Sequence, residues 1–551
     1  MQKKQIISVL ALLSVIYIIL FCFPNAANSA DISMVQVFEA DEAMPLPYVF
    51  HMIEPYDSLK LTLYNFAYYN YYFYGFPYFA WSALVLLPVK WAGQIGNIPL
   101  VMLVLRQLVS LLPMLAAIWM LIYLQTRFKS WKAIPLFILL SVLPAVVENN
   151  FWWHPDGLVI FMMMLAVFFL TRDNLRFGFN FYACAVLCGA AAMTKGIGFY
   201  FFLSVAVYLL IGLLQKTVSF KKLLLSAAGF LAVMAGAYFI TNPILVYGAE
   251  RERYFEIMRD QSELLTQGYE LVYEKGLAAS APVLTKYYGG VILLLAGLAA
   301  GIRGALRGPN RLLSIIILAW VIPLFVLVFF LIHFKFQYWL PAALPLFSLF
   351  TPLLPDQSDF KKLTAPGRNR EFWGSVVKAG LGIFLLVQVF LFIRQDVVRF
   401  DDQLHKSENN RAVAFYHELS EALVSLPANA YRVYYDPRMY VPADTGWTTN
   451  TRFEMLDYPY IEECKYDMLL IMQSRVNDYL NPNAQAVNEA KMALAREFYT
   501  DVRDGMVDGY RLVYRTDYGL AFVTEELYQQ YFVSSNDAAA TQWPACQSCQ
   551  P

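Results

Sequence analysis

The sequence predicts a polytopic α-helical membrane protein of about eleven transmembrane helices, followed by a C-terminal extracytoplasmic α/β domain. Three observations lead there. Of 551 residues, 58% are hydrophobic and only 15% charged, more apolar side chain than a soluble chain of this length carries. Apolar runs recur through the first 394 residues, about half of them at the length a bilayer asks for, roughly 17 to 25 residues, and several shorter. Beyond residue 394 charge returns, and alternating and helical periodicities replace the apolar runs. Formal net charge is zero, which argues against a nucleic-acid partner. No glycine-rich phosphate loop, zinc-ligand spacing or nucleophile elbow stands out.

In chain order the runs fall at 6–23, 99–124, 133–147, 158–170, 179–193, 197–214, 223–246, 291–302, 312–332, 338–354 and 381–393. Basic residues orient them. With Lys3 and Lys4 cytoplasmic, alternate connections hold Arg127/Lys129/Lys132, Arg172/Arg176, Lys216/Lys221/Lys222, Arg303/Arg307/Arg311 and Lys361/Lys362/Arg368/Arg370, all on the N-terminal side. That is the positive-inside pattern. It implies a multi-pass protein of the plasma (inner) membrane, its N-terminus cytoplasmic and its C-terminal domain outside. The first run is read as an anchor; a cleaved signal ending near Ala27-Asn28-Ser29 is the alternative.

The outward pieces are a first loop at 24–98, a turn at 148–157, a second long loop at 247–288, and the domain at 395–551. That domain shows a helical pattern at 412–426, strand candidates at 431–435 and 468–472, a hairpin near 510–524, and a disordered tail near 535–551. Cys546 and Cys549 form a CxxC in the tail, read as an unstructured or locally bridged end and not as a redox motif.

Ionisable residues are nearly absent from the runs; Arg106, in the outer half of the second, is the exception. The others collect at the outer boundary on separate loops: Asp41 and Glu42, Glu148, His154 and Asp156, Lys195, Arg259, His333 and Lys335. A transporter or flippase of lipid-linked saccharides would place charges near the midplane of repeated halves, and neither feature is found. A non-catalytic scaffold for the C-terminal domain is the other alternative. Adjacent residues on a helix point about 100° apart, so Asp41 and Glu42 cannot both flank one atom: one is chemical, the other orients, caps or holds a cation. Asp156 opens a helix, where an N-cap is the plain explanation, though a cap leaves Glu148 and His154 unexplained.

Five stretches carry a resemblance. They are "FEADEAMPLPYVFHM" (38–52), "FPYFAWSALVLLPVKWAG" (76–93) with "LVLRQLVSLL" (103–112), "ENNFWWHPDGLVIF" (148–161), "AAMTKGIGFYFF" (191–202) and "FKFQYWLPAALPLFSLF" (334–350). Taken in order, this set resembles the GT-C superfamily of polyprenyl-phosphate-sugar glycosyltransferases, in its protein O-mannosyltransferase and lipid A aminoarabinose transferase branch. The likeness covers roughly the first 355 residues.

The resemblance implies a lipid-linked sugar donor, a glycan, lipid or protein acceptor, and transfer at the outer face. Asp41 would be the base with Glu42 beside it, and Asp156 the second acid shaping the site. Lys195 would line the pocket, and Arg259 would bind the donor phosphate. The family's amphipathic helix opens with a cation before proline. Here the residues are Tyr74-Gly75-Phe76-Pro77, which leaves Arg259, His333 and Lys335 as replacements. No cofactor is implied with certainty, and a divalent cation is allowed. The aromatic stretch at 64–81 suits a helix in the membrane interface beside an isoprenoid groove.

Overall fold

A computed structural model describes residues 2–355, 359, 370–424, 426, 427 and 430–533. Lys361, Lys362 and Arg368, which entered the orientation, and the expected tail with Cys546 and Cys549 lie outside the described residues. The chain divides into two compact units. The first comprises Met1–Ser29, Met44–Gln267 and Tyr273–His405; the second comprises Ala30–Ala43, Gly268–Val272 and Lys406–Pro551.

In the first unit every one of the eleven apolar runs is helical. Among the described residues, seven helices are long and apolar enough to cross a membrane: Lys3–Ala27, Ile98–Thr126, Gly196–Leu214, Phe220–Ile240, Gly290–Arg307, Arg311–Leu331 and Phe372–Leu404. The bent pair Ala133–Ser141 and Pro144–Asn150, angled by 62°, makes an eighth if it is one span. The expected count of eleven is not confirmed by length and composition. Asp156–Asp173 carries charges at both ends, and Phe179–Thr194 and Phe336–Ser348 have only 16 and 13 residues. These three are packed largely inside the protein, and a helix clothed by other helices need not match a bilayer's thickness. The chain is a multi-pass membrane protein.

Local chemistry explains the ends. Asn97 and Ser219 accept hydrogen bonds from the backbone N–H groups of Leu100 and Lys222, each capping a helix. Pro99 sits in the first turn after Asn97, where its missing N–H costs nothing. Pro144 cannot continue the hydrogen-bond ladder of the helix before it, and the chain bends there. Within Ile98–Thr126 the segment Arg106–Leu111 is widened to a π-helix, a distortion that re-aims side chains.

The second unit is a five-stranded sheet in the order β2-β1-β3-β5-β4, with β1 (Arg432–Tyr435), β2 (Thr448–Asn450) and β3 (Met468–Met472) parallel. β4 (Tyr510–Arg515) and β5 (Gly519–Thr524) form the expected hairpin, which pairs antiparallel with β3. Alternation sorts the central side chains. Val433, Met468, Leu470, Ala521 and Val523 pack with Phe415 and Leu419 of helix Arg411–Ala422. Tyr434, Leu469, Ile471 and Phe522 pack with Phe498, Tyr499 and Val502 of helix Glu489–Asp504. Both faces are covered, so β3 reads as an unbroken apolar run. The helix Arg370–Leu404 continues past residue 394, and the C-terminal part of this unit begins at Lys406.

Candidate active site

Helices Asp156–Asp173 and Phe179–Thr194 form a tight hairpin, the chain reversing through left-handed Asn174 and Leu175. Two antiparallel helices of 18 and 16 residues bring the start of the first level with the end of the second. Asp156 is the first residue of one and Lys195 follows the last residue of the other. The Lys195 ammonium donates to both Asp156 oxygens, at 2.8 and 2.9 Å. The helix ends favour these charges, anion at the N-terminus and cation at the C-terminus.

Asp156 does not cap its own helix; its carboxylate is fully buried and its partners are side chains. The second partner is the Nδ1 of His154. The far nitrogen of that ring, Nε2, meets the Tyr74 hydroxyl at 2.9 Å. The indole of Trp152 stacks on the imidazole, centroids 3.8 Å apart. The backbone N–H of His154 donates to Ser110 Oγ on the π segment at 3.1 Å. Lys195 lies over the Tyr338 ring at 5.3 Å.

Two glycines permit this convergence. A Cβ on Gly157 would lie 2.4 Å from the Ser110 carbonyl oxygen, and one on Gly75 only 1.5 Å from that of Met193. Gly75 N–H also donates to the Thr194 carbonyl at 3.1 Å. Tyr74 is thereby pinned beside the Thr194–Lys195 turn, with its hydroxyl against the His154 ring.

The aromatic stretch is packing as much as surface. Tyr69, Tyr72, Tyr78 and Phe79 are buried. Tyr78 stacks on Trp153 and donates to its carbonyl at 3.1 Å, while Trp153 Nε1 donates to Ser82 Oγ. The rings hold the Trp152–Asp156 turn in place.

The remaining expected residues of this unit lie elsewhere. Arg106 is buried at the C-terminal end of the first helix, donating to the Asn25 carbonyl and Ser29 Oγ, each at 2.9 Å, and to Asn28. Glu148 pairs with Arg399 at 3.2 Å. Arg259 is exposed beside Asp260. His333 rests on the Tyr273 ring, and its imidazole is pushed below its ordinary range by burial, with Lys335 adding to the effect and the Glu274 carbonyl opposing it.

Asp41 and Glu42 belong to the second unit, on the single turn Ala40–Ala43; Asp41 is exposed and Glu42 buried. Adjacent positions have opposite surroundings, as helical geometry requires. Among the described residues no three His, Cys, Asp or Glu side chains gather as a cation site would need. Tyr74, Ser110, Trp152 and Tyr338 complete the Asp156 cluster and were missed as site residues. The only advance signal was the place of Ser110, Trp152 and Tyr338 inside the quoted motifs and of Tyr74 inside the aromatic stretch.

Fold and site define a multi-pass membrane protein with a buried ionic cluster at the open end of a helical hairpin. No family model and no curated protein matches the chain. Among solved structures it is similar to ArnT from Cupriavidus metallidurans bound to undecaprenyl phosphate, over 94% of this chain and 97% of that one, at 13% identity and a TM-score of 0.49. The apo state of that protein matches over the same shares at 14% identity and 0.46. The Archaeoglobus fulgidus oligosaccharyltransferase in complex with zinc and sulfate matches over 96% of this chain and 77% of its own, at 14% and 0.43. At these scores the likeness is one of chain course, and no residue role is taken from it.

Proposed function

We propose that this chain is a glycosyltransferase that moves a sugar from a polyprenyl-phosphate donor to an acceptor hydroxyl at the extracytoplasmic face of the plasma (inner) membrane. The observation that carries the proposal is the uneven exposure of the Asp156 cluster. Asp156 is fully buried, while Lys195 keeps 13% of its side chain open. The ammonium is therefore held from behind by a carboxylate and presents a cation to whatever enters. A helical hairpin needs no such pair to fold, and taking these charges out of water costs several kcal/mol before they attract each other. The ordered motifs that resemble the GT-C superfamily point to the same chemistry.

The step is a single displacement. The acceptor O–H gives its proton to a carboxylate as its oxygen bonds to the anomeric carbon. The bond from that carbon to the phosphate oxygen breaks, its electron pair staying on the polyprenyl phosphate. Asp41, exposed beside the buried Glu42, is assigned the base, a role worth roughly 10²–10⁴-fold in rate. Lys195 stabilises the charge that develops on the leaving phosphate. Asp156, both oxygens engaged, holds Lys195 and His154 in position. Arg259, His333 and Lys335 are assigned to phosphate or acceptor contacts. The acceptor is a glycan, lipid or protein hydroxyl.

The test uses purified protein in liposomes containing lipid-linked sugars extracted from the source membranes, with release of free polyprenyl phosphate followed by mass. Asp41→Asn should lower release at least about 100-fold with the protein still folded. Release unchanged in Asp41→Asn would end the assignment of the base. No release by the unaltered protein with any extracted donor would end the glycosyltransferase reading. In cells lacking the protein, the donor should accumulate and one surface sugar should disappear.

A further inference from the structure

Residues Ala30–Ala43 belong to the same compact unit as the C-terminal sheet. Asp31 caps the short helix Ile32–Phe38 through Met34 N–H, at 2.8 Å, and its second oxygen accepts from the Tyr440 hydroxyl at 3.0 Å. Gln36 lies near Tyr435, at the end of β1. Val37 is buried against Ala412, Val413 and Tyr440, and Lys406 lies 4.8 Å over the Phe38 ring. Glu39 then breaks the helix, and the turn bearing Asp41 and Glu42 follows directly.

A second piece from the other long outer loop joins the same body. Val272 N–H donates to the Gln485 carbonyl at 2.9 Å, and Val487 N–H to the Glu270 carbonyl at 2.8 Å. The Glu270 carboxylate accepts from Met455 N–H and the Tyr479 hydroxyl. Tyr269, next to the Glu270 anchor, feels the charge of Asp41: its phenol is pushed up by burial first and by Asp41 second.

From this geometry we propose that the C-terminal unit is the positioning frame of the acid pair, with Tyr440 and the Val37 contact fixing the segment that carries Asp41 and Glu42. This rests on the assignment of Asp41 as base, and it gives the domain a part in the rate of reaction. Tyr440 and Val37 are positioning residues; neither touches a reacting atom. Loosening them should lower turnover and leave donor affinity alone, because misplacing a base acts on the transition state and not on ground-state binding.

The test measures polyprenyl phosphate release in liposomes by the full chain, with kcat and KM for the extracted donor lipids obtained separately. Tyr440→Phe removes one hydroxyl and keeps the ring. It should lower kcat about 10-fold with KM within about two-fold, the size expected for losing one hydrogen bond to a charged group. Tyr440→Phe with Val37→Ala should lower kcat further and expose the 30–43 segment to limited proteolysis at an unchanged melting temperature. Both variants within two-fold of the parent kcat, while Asp41→Asn abolishes release, would overturn the frame and leave the base in place. Full release by Asp41→Asn would overturn the base assignment and the frame together.

Discussion

Replacing Lys195 with methionine keeps an unbranched side chain one atom shorter and removes the cation that donates to Asp156 at 2.8 and 2.9 Å. The carboxylate left behind is fully buried. Removing one partner of a buried pair costs about 3–5 kcal/mol. Here the helix N-terminus still faces the charge, offsetting about 1 kcal/mol of that, and His154 stays bonded. The expected loss is therefore about 2–4 kcal/mol. Asp156→Asn should cost less, since the Lys195 ammonium it strands is partly open to water. The double variant, neutral at both positions, should recover part of the loss, with a coupling of about 2 kcal/mol. Thermal unfolding of the purified protein and its three variants in one detergent reads the cycle. Additivity within about 0.5 kcal/mol would mean that the pair is not a unit, and the argument for a lysine held ready by its carboxylate would fall.

Two further outcomes follow from the same structure. Gly75→Ala places a Cβ 1.5 Å from the Met193 carbonyl oxygen, a clash with backbone on both sides, so stability should fall by about 1–3 kcal/mol or more; an unchanged melting temperature would show that the two backbones do not meet. His333, whose imidazole titrates below its ordinary 6.5, prefers to be neutral in the fold. It stabilises above that value, and this contribution is lost as pH falls through the lowered folded value. His333→Gln should flatten the acid side of the melting-temperature profile, and a profile identical to the parent's would remove His333 from that linkage.

Much of the scaffold was legible because its signals are local. Apolar length alone marked each of the eleven helical runs, and β3 appeared as Met468–Met472 because both its faces are covered and every residue is apolar. The count of crossing helices was not legible. Nothing in an apolar run says whether lipid or protein will surround it, and Phe336–Ser348, with nearly every residue buried, is surrounded by protein. β2, three exposed residues, carries no periodicity to detect. Asp156, His154 and Lys195 were each singled out as polar residues at helix ends. Glu148 and Arg106 carried the same signal, and the structure pairs them with Arg399 and with the end of the first helix. A charge at a boundary declares that it needs a partner; it does not name the partner.

What the sequence alone determined was the solvent and the periodicity: a chain too apolar for water, helical where it is greasy, with an α/β unit where charge returns. Tertiary structure alone decided who meets whom. The near-equal lengths of two helices set Lys195 against Asp156, glycines at 75 and 157 let backbones close to contact distance, and the acid-bearing turn belongs to the same unit as a sheet encoded some 400 residues later. Such pairings depend on distances through space that no local pattern records, because hydrophobic burial selects surfaces that fit and is indifferent to their separation along the chain.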